Sequence, residues 1–135
     1  MLNAATRRPG ELARIVLSGI RIVNGGAALL APRILARRGL GVDAEASPGL
    51  IYALRLFGVR TVLIGADLFA RDPAVRRQAV DAAPLIHASD VATAVMAGLG
   101  GQVPRRAAVK AASISTVNVL LSLVAWREQH ACRRE

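Results

Sequence analysis

The stretch Leu50–Phe69, LIYALRLFGVRTVLIGADLF, decides how the rest of the chain is read. It has the length and apolarity of a membrane-crossing helix, yet it holds Arg55 and Arg60, with Asp67 near its end. Eleven large apolar side chains in it favour insertion by roughly −3 to −7 kcal/mol, and two arginines oppose it by up to about +5 to +7 kcal/mol. Alone, the segment is near break-even. It is stable only inside a bundle, with guanidinium groups turned inward or snorkelling to an interface. Gly58 and Gly65 thin the helix and admit a neighbour.

Working outward, the chain shows three more apolar segments. The set is Leu12–Ala31, Gly49–Phe69, Pro84–Gly100 and Ala107–Trp126. Of 18 basic and 9 acidic residues, only Arg14, Arg21, Arg55, Arg60, Asp67, Asp90 and Lys110 fall inside them. A bilayer imposes that partition. The predicted fold is all-α: one membrane domain over 1–135, a four-transmembrane-helix bundle with short loops and both termini on one side. The net charge of +9 does not make it a nucleic-acid binder. Such a surface needs interleaved stacking aromatics, and aromatics are 3% here.

The first segment imitates a signal peptide, but it is long and Arg21 and Asn24 interrupt it, so it reads as a retained helix. Pro32 ends it, and Arg33, Arg37 and Arg38 form an interfacial cluster. Pro48 starts the second helix and Asp72-Pro73 stops it. Residues 74–83 read as a short surface helix, and Pro84 as the opening of the third span. In the fourth span Ala107, Ala111 and Ser115 make a small-residue ladder. Ser115, Asn118 and Ser122 make a polar stripe, and both suit close packing. Trp126 and Arg127 close that span as an interface belt, and 128–135 reads as a frayed charged tail with a solvated His130.

An even number of spans puts Arg7, Arg8, Arg14, Arg71, Arg76, Arg77, Arg127, Arg133 and Arg134 on one side. The other side has Arg33, Arg37, Arg38, Arg105, Arg106 and Lys110. The excess favours termini in the cytoplasm, and the expected location is the cytoplasmic (inner) membrane.

At ~1.5 Å per residue, Arg21 and Arg60 lie about 13 Å from the face bearing the termini, Asn118 about 12 Å and Asp90 about 9 Å. A polar cluster in that half of the bundle follows: Arg21, Arg60, Asp90 and Asn118, with His87, Asp67 and Ser122 toward its mouth and Arg55 in the other half. Two readings stand. Arg60–Asp90 or Arg21–Asp90 is an interhelical ion pair that sets register. Alternatively, the surplus guanidinium binds a lipid phosphate, a carboxylate or a quinone carbonyl. His87 and Asp90 are two metal ligands without a third, so no metal site is assigned. Cys132 is the sole cysteine, which excludes an internal disulfide and a CxxC pair. No nucleophile elbow, P-loop or dinucleotide fingerprint is present.

The run Arg55-Leu56-Phe57-Gly58-Val59-Arg60-Thr61-Val62-Leu63-Ile64-Gly65 resembles the second-helix signature of small four-helix bacterial membrane proteins of the DoxX-like group. Asn24-Gly25-Gly26 and Pro32 resemble its first-helix end. Where related sequences often carry an acid after the second arginine, this chain has Thr61, which shifts the weight to Asp90 as partner. The resemblance implies the four-helix fold. Through named members it implies a link to quinone-coupled redox complexes. The expectation is an accessory or ligand-binding subunit without catalytic activity of its own and with no evident cofactor. Its partners would be the lipid bilayer, other membrane subunits or further copies of itself. A membrane redox or lipid-modifying subunit acting on quinone or lipid, a small transporter and a soluble helical bundle are the rivals.

Overall fold

The structure, a computed structural model, describes residues 8–43, 45 and 48–131. Four long helices run up and down: α1 (Pro9–Leu30), α3 (Pro48–Leu68), α4 (Pro73–Leu99) and α5 (Arg105–Ala131). A short α2 (Pro32–Ile34) continues into a π-helical turn, Leu35–Leu40, between α1 and α3. Proline marks the helix starts. Pro9, Pro32, Pro48 and Pro73 each take the first helical position, where the missing N–H is no loss. Asp72 caps α4 by accepting from the Ala74 amide at 2.7 Å.

All four long helices are long and apolar enough to cross a membrane. Their packing has the polarity of a membrane protein. Large apolar side chains stand outside: Leu30 is 83% exposed, Leu85 77% and Leu99 85%. Most buried apolar positions are alanines, and Ser18, Arg21, Thr61, His87, Asn118 and Ser122 are buried with them. A soluble bundle would reverse that arrangement. The chain is a small multi-pass membrane protein.

The third span differs from expectation. Helix α4 begins at Pro73, not Pro84, and Pro84 lies inside it. Residues 74–83 are its first turns rather than a separate surface helix. Pro84 removes only the amide that would bond the Val80 carbonyl, a loss that membrane helices tolerate. Helix α5 also runs past Trp126, because its last turns have partners. Glu128 accepts from the Gly10 amide at 2.7 Å, and Gln129 donates to Asp81 at 2.8 Å. His130 packs on Trp126 with ring centroids 4.2 Å apart. These bonds hold both ends of the described chain at one end of the bundle. Arg7, Cys132, Arg133 and Arg134 lie outside the described residues.

Around the bundle the order is α1, α3, α4, α5, with the α3–α4 seam the most sparsely packed. The α1–α3 and α4–α5 pairs are the most closely packed. Gly25 and Gly58 meet backbone to backbone. A Cβ on Gly25 would lie 2.8 Å from the Val62 nitrogen, and one on Gly58 2.6 Å from the Leu29 nitrogen. Ser18 donates to the Gly65 carbonyl at 2.5 Å, and Arg14 donates to the Leu68 carbonyl, closing the last turn of α3. On the other side, Gly98 lets Ala108 approach α4.

Candidate functional site

The anchors just described set the level of every side chain between them. Counting along α1 and α3 from the Gly25–Gly58 contact puts Arg21 opposite the turn Thr61–Gly65, where the Cβ absent from Gly65 would lie 3.1 Å from the Arg21 Cβ. Counting along α4 and α5 from Gly98–Ala108 puts Asp90 and His87 opposite Asn118. The Gly10–Glu128 bond puts Asn118 level with Arg21. Each helix therefore brings a polar side chain to one level.

That layer is held across the bundle. Helices α1 and α4 are not neighbours, yet Arg21 Nη1 stands 3.3 Å from Asp90 Oδ2. The same oxygen lies 3.6 Å from His87 Nδ1. The His87 side chain is fully buried, that of Arg21 is 5% exposed and that of Asp90 25%. Four polar atoms in the layer have no hydrogen-bond partner: Arg21 Nε, both ring nitrogens of His87 and Asn118 Oδ1. Each such atom ordinarily costs about 1–3 kcal/mol, so unpaired groups converging from three helices call for an account. The Ser18 and Ser122 hydroxyls donate to the Gly65 and Val119 carbonyls.

At Asp90, whose side chain is 25% exposed, the layer reaches the outside. Arg60 is exposed on α3, within electrostatic reach of Arg21 and Asp90. The cluster thus holds two guanidinium groups and one carboxylate. A surplus cation sits at its open edge, where it can receive an anionic or strongly polar group bidentately.

The structure brings together Arg21, His87, Asp90 and Asn118, with Arg60 at the rim. It does not bring Arg55 or Asp67 there. Both side chains are exposed on α3, because the face of that helix turned to α1 is Gly58, Thr61, Gly65 and Leu68. Neither belongs to the cluster. The ion-pair partner of Asp90 is Arg21 and not Arg60. The layer also lies deeper than the sequence estimate. With α4 starting at Pro73, Asp90 is about 26 Å from one end of its helix and about 14 Å from the other. Arg21 is about 18 Å and 14 Å from the ends of α1.

Sequence reasoning did not find Ser18 or Thr61. Ser18 was findable, since it lies one turn before Arg21 on the same face. Among the described residues, no group of three or more His, Cys, Asp or Glu side chains could hold a metal ion. No family model, curated protein or solved structure matches the chain.

Proposed function

We propose that this membrane protein is an accessory, ligand-binding subunit. Its polar layer takes the head of a bilayer-resident molecule, an anionic lipid or a quinone, through the α3–α4 seam. The observation that carries this reading is the half-open layer itself. A buried Arg21–Asp90 pair, His87 and Asn118 hold four polar atoms without a hydrogen bond, one of them, His87 Nδ1, 3.6 Å from Asp90, beside a surplus Arg60. A purely structural pair would be closed and balanced. The sparse α3–α4 seam supports lateral entry from the bilayer. The resemblance of residues 55–65 to the DoxX-like group supports the same reading, and extends it to association with other membrane subunits or with further copies. The excess of arginine on the side bearing the termini supports an orientation with both chain ends in the cytoplasm.

The test is native mass spectrometry of the protein purified in mild detergent, with lipid extraction of the same sample. A retained quinone or anionic lipid, lost in Arg60→Ala, is the expected result. An apo mass for the unaltered protein, unchanged when quinone or anionic lipid is added, would overturn the reading.

A further inference from the structure

The end of the bundle opposite the termini carries a second feature, distinct from the polar layer. A groove of about 260 Å³ lies between the π-helical turn and the start of α5. Its charged lining is Arg37, Arg38, Arg106 and Lys110, with no carboxylate among the lining residues. All four cations are exposed, and none has a hydrogen bond or ion pair among the described residues. Arg106 and Lys110 stand one turn apart on the same face of α5, where like charges repel. The described acids at this end are engaged elsewhere: Glu45 pairs with Arg33 at 3.4 Å, and Asp43 accepts from the Glu45 amide at 3.0 Å.

Local backbone geometry brings the four together. The π turn carries Arg37 and Arg38 and ends on Gly41, whose φ of 66° is in the left-handed region. The Gly41 backbone approaches Pro104, the residue just before α5. The loop after α1 is thereby pinned against the start of α5, and the positive end of that helix dipole adds to Arg106. The cavity at the other end of the bundle is different. It includes Glu11 and Glu128, and its arginines are spent on carbonyls, Arg76 on Ala70 at 3.1 Å and Arg77 on Pro73 at 3.1 Å.

Four converging unpaired cations with no acid among them are stabilised by a multiply charged oxyanion, and guanidinium groups match a phosphate bidentately. The groove also stands at the membrane boundary. Exposed Leu30 and Leu99 are the last residues of α1 and α4 at this end of the bundle, which puts the groove at the level of the helix ends, where headgroups lie. We propose that this groove is a phosphate-binding site, its ligand being either a phospholipid headgroup or a soluble phosphate compound.

The test uses the full chain in mild detergent, stripped of lipid, titrated by native mass spectrometry with phosphatidylglycerol and separately by calorimetry with inorganic pyrophosphate. Arg106→Gln/Lys110→Gln and Arg37→Gln/Arg38→Gln each remove two groove charges. Arg71→Gln/Arg127→Gln removes the same charge at the other end. The expected result is tenfold or greater weakening in both groove variants and less than twofold change in the control. Saturable lipid binding with that pattern assigns the headgroup, and pyrophosphate binding with that pattern assigns a soluble phosphate. Equal weakening in groove and control variants, or no saturable binding of either probe, would overturn the site. The four side chains are exposed, and an unchanged helical circular dichroism spectrum verifies that each variant is folded. Arg60→Ala should leave groove binding intact, which separates this result from the fate of the polar layer.

Discussion

Arg21 and Asp90 face one another in the middle of a membrane-crossing bundle, so each is tolerable only because of the other. Removing either leaves a buried, unpaired charge. Arg21→Ala and Asp90→Ala should each destabilise the protein in detergent by about 3 kcal/mol or more. The double variant should be more stable than the sum of the singles, and thermal unfolding of all three reads the coupling. Simple additivity would mean that the two side chains do not interact. Arg60→Ala should behave differently. Its side chain is exposed and forms no short-range pair in the layer, so stability should change by less than ~1 kcal/mol while ligand retention falls. That contrast separates a structural cation from a recognition cation in one cluster.

At the scale of the helix, close approach of α1 and α3 depends on residues without side chains. Gly58→Ala would place a Cβ 2.6 Å from the Leu29 nitrogen, a backbone atom that cannot step aside. The helices must separate, and a loss of at least ~2 kcal/mol is expected by the measure of other overpacking changes. Gly26 is its control, because nothing lies within 4 Å of the Cβ it lacks. Gly26→Ala should be neutral, or stabilising by up to ~1 kcal/mol through helix propensity. Unfolding in graded detergent measures both. Equal effects would show that the α1–α3 contact is looser than the geometry described.

For the whole molecule, the inverted distribution of polarity predicts its behaviour in membranes. Alkaline carbonate should leave the protein in the membrane pellet, because the exposed leucines, valines and isoleucines need lipid. The up-and-down topology predicts opposite sides for the two ends of the bundle. In a Cys132→Ser background, Glu11→Cys and Gln102→Cys should react with an impermeant maleimide from opposite faces of the membrane. Labelling of both from one side would require a different number of crossings.

The sequence by itself determined the number of spans, their order and the class of fold, because the bilayer sorts residues by chemistry along the chain. Apolar runs of span length, prolines at helix starts and arginines at helix ends are local signals, and they are visible one segment at a time. It also marked Arg21, His87, Asp90 and Asn118 as polar groups in need of partners. Only the tertiary structure decided which partner each receives. Pairing of Asp90 with Arg21 rather than Arg60 depends on the rotation of α3, whose glycine face turns to α1 and leaves Arg55, Arg60 and Asp67 outside it. The depth of the layer depends on α4 continuing through Pro84, a position where helix start and helix interior look alike along the chain. The groove of Arg37, Arg38, Arg106 and Lys110 joins residues some seventy apart in sequence, roughly the length of two helices and their turns. Rotation, register and distant juxtaposition are properties of packed helices, and no single stretch of chain carries them.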